Sequence, residues 1–453
     1  MKTIDQARIA ALMHREQRQF IDNHPTSREF SERARTHLLS GAPLPWMREW
    51  HTPFNVYAAR ASGATVTDVD GHEYADFCLG DTGAMFGHSP AAFVEMVADN
   101  LAGGITHMLP TEDSLWLGEE LSRRFRLKYW SFALTATDAN RFACRFAREI
   151  TGRPKILVFD GCYHGTLGET SVNLKGNRVV RRSGSVGITG DPQITTRIVD
   201  FNDLDQLDRE LSHGDVACVL AEPALTNCSM VLPAPGFHDG LRELTRRHNS
   251  LLIIDETHTF SSGPAGYTGA FDLDPDMLTL GKPIGGGIPA AIYGLSAEVG
   301  ERAQNRLEEN NNFSTGIGGT LAANAFSMRA MRLMFEQVIT PASYEHMLSM
   351  AAALESSIGA AIEDYQIPWH VSRLGARVEY GTNPDPWVNA REVEVCRDRE
   401  IEQLLHLYCL NRGVLITPFH NMLLASPATT ESHVEQHNDA FNQAVRELVE
   451  GDI

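Results

Sequence analysis

Three short runs constrain the architecture more than anything else in the chain: "KILVFD" (155–160), "ACVLAEP" (217–223) and "SLLIIDE" (250–256). Each is a continuous apolar stretch that ends on an acidic or turn residue. Strands of that kind are buried on both faces, which points to a mostly parallel sheet with helices on either side. The segment "FHDGLRELTRRHN" between the last two reads as an amphipathic helix. "DANRFACRFAREITGR" reads as another, with Phe142, Ala143, Phe146 and Ile150 at helical spacing and Gly152 as its stop. The expected fold class is therefore α/β, and its working residues should gather where strands end and loops begin.

With 453 residues the chain exceeds the size of a single ordinary core. The pattern divides it into an N-terminal segment (1–60) packing with a small domain, a large domain (61–330), and a small C-terminal α+β domain (331–453). Within the first part of the large domain, "ATVTDVDGHEYADF" (64–77) reads as two strands around an Asp-Gly turn. Long helical patterns cover Leu321–Glu336 and Pro341–Tyr365, followed by strand-like "WHVSRLGARVEYG" and "RGVLITPF". The Asn-rich piece 306–315 reads as a loop. The net charge of −19 argues against nucleic acid or an anionic membrane as partner, because both need a basic face. The seven cysteines are scattered and never spaced Cys-x-x-Cys, so neither a disulfide framework nor a zinc site is expected and a cytoplasmic location fits. No His/Asp/Glu cluster shows ligand spacing, and no metal is expected. No run approaches the ~20 apolar residues of a membrane span.

Chemistry begins at "LTLGKPIGGGIPAA", where Lys282 follows an apolar strand and is surrounded by Gly281 and the Gly285–Gly287 run. A phosphate-gripping P-loop needs a glycine five residues before Gly281 and Ser or Thr after the lysine; Asp276 and Pro283 stand there instead. A solvated lysine and a lysine carrying a covalent adduct remain. Asp255, at the end of "LLIID", reads either as a helix N-cap or as a buried acid. A lysine and a buried acid together are what pyridoxal phosphate requires: an amine for its Schiff base and a carboxylate that keeps its pyridine nitrogen protonated. The glycines would let the backbone pass close to a bulky ring.

Asp255-Glu256 followed 27 positions later by Lys282 resembles the class III (ornithine/ω-type) pyridoxal-phosphate aminotransferases. "TATDANRFACRFAREITGR" (135–153), "FDGCYHG" (159–165), "AEPALTN" (221–227) and "GGTLAAN" (318–324) continue the resemblance in order. "FDGCYHG" is similar to the glutamate-1-semialdehyde aminomutase branch and its neighbouring β-amino-acid transaminases. The resemblance implies fold-type I, the aspartate-aminotransferase-like fold, with pyridoxal 5'-phosphate as cofactor. It implies Lys282 as the Schiff-base lysine and proton carrier, and Asp255 as partner of the pyridine nitrogen. Ala136 and Thr137 would hold the phosphate at a helix N-terminus, as the dipole there favours. Tyr163 would stack on the ring, Glu222 and Asn227 would line its phenolate side, and Thr320 would reach the phosphate of the neighbouring subunit in a homodimer.

The chain departs from the family where Thr135-Ala136-Thr137-Asp138-Ala139 replaces the usual Ser-Gly-Thr/Ser-Glu-Ala, and where Thr257 and His258 follow Asp-Glu in place of Val and Gln or Met. Thr257 would face the ring; His258 would bond the phenolate oxygen, enter the substrate pocket, or be a half-buried histidine satisfied by backbone. A substrate carboxylate calls for an arginine fork. Arg48 in "LPWMREWHTPF" and Arg377 in "LGARVEY" are the candidates, with His420 and Asn421 of "TPFHNM" at the pocket rim. The implied activity is amino transfer between an amine or amino acid donor and a carbonyl acceptor. An aminomutase or racemase on the same scaffold is the alternative, and a cofactor-free, non-catalytic scaffold a remote one.

Overall fold

The computed structural model describes residues 4–309 and 315–450. The chain packs as two compact units, one of residues 1–90, 342–386 and 395–453, the other of 91–341 and 387–394. Residues 61–90, expected in the large domain, group with the first unit because the Glu73–Asp76 strand pairs in parallel with Val414–Leu415 near the far end of the chain.

The second unit is built on a seven-stranded sheet. Its order is Tyr129–Ala133, Ala291–Leu295, Met277–Leu280, Leu251–Asp255, Val216–Ala221, Lys155–Phe159, Thr196–Val199. Leu251–Asp255 runs parallel to both neighbours, and only Ala291–Leu295 runs antiparallel to the strands beside it. The three apolar runs behave as their composition requires: every residue of Val216–Ala221 and of Leu251–Asp255 is buried. Removing a Val, Leu or Ile side chain from water in this way stabilises by about 1.5–3 kcal/mol each, before entropy is counted.

Helix Ala136–Thr151 begins at Thr135, whose hydroxyl accepts from Asp138 N, and stops at Gly152 in the left-handed region. Its apolar face, including Phe142, Ala143 and Ile150, is buried in the same core as the central strands. The Leu321–Glu336 pattern is shorter as a helix than expected. It forms only at Ala325–Leu333, capped by Asn324, and then widens into a π-turn over Met334–Val338. Residues 306–309 of the expected 306–315 loop belong to helix Ala297–Glu309, and 310–314 lie outside the described residues.

The first unit holds a four-stranded sheet (Ala58–Ser62, Thr65–Asp68, Glu73–Asp76, Val414–Leu415) and a three-stranded one (His370–Leu374, Arg377–Gly381, Met422–Leu424). Helices Gln6–Asn23, Arg399–Leu410 and Glu431–Glu450 contribute to its core together with Ala351, Leu354 and Ile358. Among the described residues, no helix is long and apolar enough to cross a membrane.

Candidate active site

Asp255 ends the Leu251–Asp255 strand, and Lys282 follows the adjacent parallel strand Met277–Leu280, with Asp255 in register with Thr279. Neighbouring parallel strands end on the same side, so the acid and the lysine arrive there together. Asp255 is buried, and its Oδ2 accepts from Asn140 Nδ2 at 2.7 Å and lies 2.9 Å from His164 Nδ1. Its Oδ1 accepts from Thr257 N, and Thr279 Oγ1 donates to Asn140 Oδ1. Burial works against the Asp255 anion, but His164 outweighs it and holds the carboxyl below its usual range. Burial likewise disfavours the His164 cation; Cys162 and Asp255 outweigh it and keep the imidazole well above its ordinary value. The pair is thus an anion backed by a cation inside the unit.

Lys282 is half-buried, and its Nζ lies 2.7 Å from His258 Nε2. Its backbone φ of 45° falls in the left-handed region, an outlier for a residue with a side chain and a cost of about 1–3 kcal/mol. Such strain persists only where the surroundings over-determine it. Gly281 is part of the reason: a Cβ there would lie 3.0 Å from Ala136 N, so the strand end passes hard against the start of helix Ala136–Thr151. The glycines of the run are not equivalent: a Cβ on Gly287 would meet nothing within 4 Å. A Cβ on Gly286, whose φ is 59°, would meet Phe93 at 2.6 Å and Met334 at 3.1 Å, so this position is required by packing.

Ala136 and Thr137 are the first two residues of their helix, where helix geometry leaves amides without intrahelical acceptors. Ala136 takes an ordinary helical conformation, so the alanine that replaces the family's glycine causes no local rearrangement. Thr137 Oγ1 accepts from Thr166 N in the loop that follows "FDGCYHG". Tyr163, in that loop, is 41% exposed, and its amide donates to Glu222 Oε1. Glu222 is buried and also accepts from Thr226 Oγ1; burial raises its carboxyl. Asn227 Nδ2 donates to Thr226 Oγ1. Thr320 is exposed.

Two of these neighbours were not singled out from the sequence: His164 and Asn140. His164 sits inside the quoted "FDGCYHG", and that motif was the only signal for it. Asn140 lies on the buried face of a helix, where it looks like any polar interruption. Glu256, next to Asp255, has a different task. Its carboxylate accepts from Thr259 Oγ1, Tyr267 N and Thr268 N and ties the following turn together.

The three substrate candidates all lie in the first unit. Arg48 is exposed on the Pro45–Arg48 turn, whose Trp46 lines an apolar cavity of about 370 Å³ with Trp50, Tyr57 and Phe419. Arg377 is fully buried; it donates to Thr82 Oγ1 and lies 3.3 Å from Met422 Sδ. His420 is buried with Nδ1 3.0 Å from Glu379 Oε1, and Asn421 is buried beside it. The expectation that no His/Asp/Glu cluster has ligand spacing is corrected by the fold, which brings His24, Asp68 and His72 to within 4.8 Å of one another. Asp68 Oδ2 there accepts from Tyr74 OH and lies 3.0 Å from His72 Nδ1, while His24 Nε2 is 2.9 Å from Tyr74 OH. Their polar atoms are engaged with each other.

The residues fit pyridoxal 5'-phosphate. Helix-start amides suit its phosphate, a buried anion suits its ring nitrogen, and a lysine suits its aldehyde. One observation bears on the fit: Thr257 Oγ1, one residue from His258 and next to the Asp255 carboxylate that its own amide bonds, is buried and makes no hydrogen bond of normal geometry.

The family described as aminotransferase class-III matches residues 46–445. A crystal structure titled as a glutamate-1-semialdehyde-aminomutase from Pseudomonas aeruginosa PAO1 is 49% identical, covers 98% of this chain and 99% of that one, and superposes with a TM-score of 0.95. A lysine-to-alanine variant of it was solved in complex with PMP. A glutamate-1-semialdehyde 2,1-aminomutase of Exiguobacterium sp. is 31% identical over 444 residues, 94% of this chain and 98% of its own. An omega-transaminase from Sphaerobacter thermophilus is 28% identical, with a TM-score of 0.84 over 93% of this chain and 98% of that one.

Proposed function

The chain belongs to the class-III aminotransferases, and from that premise we propose that it is an aminomutase, moving an amino group between adjacent carbons of one small amino-aldehyde substrate. The fold is fold-type I and the cofactor is pyridoxal 5'-phosphate. The observation that carries the mutase reading is the 49% identity over almost the whole chain to the Pseudomonas protein titled a glutamate-1-semialdehyde-aminomutase. Glutamate-1-semialdehyde is accordingly the first substrate to try.

When bound, the cofactor supplies an electron sink that makes the hydrogen on an amino-bearing carbon acidic. In this reading Asp255, held anionic by His164, pairs with the ring nitrogen, and the amides of Ala136 and Thr137 take the phosphate. Tyr163 and Thr257 bracket the ring, with Glu222, Asn227 and His258 along its phenolate side. Lys282 Nζ takes the proton from the amino-bearing carbon and returns it to the substrate. Arg48, Arg377 and His420 are the groups proposed to receive the substrate's acidic end. The working unit is read as a cytoplasmic homodimer in which Thr320 serves the neighbouring subunit's phosphate; its exposure supports this.

The likeness to the omega-transaminase supports a second reading, amino transfer between two molecules. Glutamate-1-semialdehyde alone is both amine and aldehyde, so the two readings are separated by product. A mutase converts it to the isomer with the amino group on the neighbouring carbon, whereas a transaminase pairs two molecules and yields a diamine and a dicarbonyl in equal amounts. Diamine and dicarbonyl without the isomer would overturn the mutase reading.

A further inference from the structure

We propose that His258 is a positioning residue for Lys282, accepting a hydrogen bond from its Nζ and holding that nitrogen at one point while the lysine carries a proton. This rests on the reading of Lys282 as the proton carrier. The contact is direct, 2.7 Å between Nζ and Nε2, and His258 is only 5% exposed. The two partners differ in freedom. A lysine head rides on a flexible four-carbon stem, whereas this imidazole stands on a turn fixed from several sides. Thr257 N is bonded to Asp255 Oδ1, Glu256 N to Thr279 O, Phe260 N to Glu256 O, and the Glu256 carboxylate is held by Thr259, Tyr267 and Thr268.

An ammonium has three hydrogens to donate and an imidazole with its hydrogen on Nδ1 has one acceptor, Nε2. When Lys282 takes up a proton, Nε2 receives one of its N–H groups. Asp255 and Glu256 are charged neighbours of His258 in sequence, and His164 and Glu222 act electrostatically on Asp255 or on each other. Asp255 is already matched by His164. His258 thus gives the lysine a resting place that spends no buried charge, and a displaced Nζ costs catalysis steeply, ~10²-fold for about 1 Å.

The test uses His258→Phe, which keeps a ring and loses the acceptor, and His258→Gln, which keeps an acceptor. Cofactor uptake is measured by absorbance, and the proton-transfer step by stopped flow with hydrogen and deuterium on the reacting carbon. Per cofactor-loaded molecule, the Phe variant should keep KM within about twofold with the proton-transfer rate down ~10- to 100-fold, and the Gln variant should recover most of it. A Phe variant within twofold of the parent, or Phe and Gln variants equally slow, overturns the proposal. A second measurement needs no His258 variant and no activity. The ¹⁵N spectrum of the cofactor-free protein should show the His258 Nδ1–H tautomer, shifted in Lys282→Ala; an unchanged signal overturns the proposal. Full turnover by Lys282→Ala would instead remove the lysine assignment itself, so the two failures are distinguishable.

Discussion

Two of the buried pairings of a carboxylate with imidazole look alike on paper and behave oppositely. Asp255 with His164, in the second unit, and Asp68 with His24 and His72, in the first, are each within 3.5 Å. At Asp255 the imidazole is pushed above its ordinary value, whereas burial pushes His24 below it, aided by the neighbouring His72. The difference lies in the company each pair keeps. His164 has both Asp255 and Cys162 favouring its cation. His24 must share Asp68 with a second imidazole and with the Tyr74 hydroxyl. One pair stores a charge beside a cleft-forming strand end; the other spends its hydrogen bonds on holding a turn.

This contrast can be broken by substitution. Asp255→Ala should lose about three orders of magnitude in turnover per cofactor-loaded molecule, measured as the rate of the first amino-removal step. Asp68→Ala should leave that rate within severalfold and instead lower unfolding stability by about 3 kcal/mol in urea titrations. Equal effects of both on rate would erase the distinction.

pH sharpens it further, with opposite signs. His24 is depressed in the folded state, so its contribution to stability is present above the unfolded value of 6.5 and is lost as pH falls through it. His406 and His437, pushed by burial to about 3 and about 4, add to the same acid loss, worth up to about 5 and about 3 kcal/mol respectively over the full range. His164 is raised, so its contribution is full below 6.5 and disappears only as pH rises through the elevated folded value. Melting temperatures of His24→Gln and His164→Gln against pH should therefore flatten opposite limbs of the parent's curve. The smallest effect belongs to Ala136→Gly, which restores the family's residue at a position already helical. Cofactor affinity should stay within about twofold and stability fall by no more than ~1 kcal/mol, read by titration and melting.

What was legible in the chain follows the range of the interactions. Val216–Ala221 and Leu251–Asp255 were readable because burial on both faces leaves an unbroken apolar signature within five or six residues. Asp255 and Lys282 were readable because chemistry fixes their types at strand ends. His164 and Asn140 were not, since they meet Asp255 across 91 and 115 residues of chain and only the strand order brings them together. Arg377 shows a different limit: its burial was not readable, because all five residues of Arg377–Gly381 are buried and no period-two alternation marks which side chains point inward.

The antiparallel strand in an otherwise parallel sheet has a consequence for how this scaffold can change over time. Because Ala291–Leu295 folds back directly on Met277–Leu280, Lys282 rides on the loop of a hairpin closed by the pairing of Leu280 with Ile292. A parallel strand would have been followed by a helical crossover, whose length can drift. Here an insertion or deletion must either stay in the loop and swing the lysine, or slip the register and turn the strand's side chains to the opposite face. Between residues 280 and 292, then, the length of the chain is held as firmly as the identities of Gly281, Lys282 and Gly286.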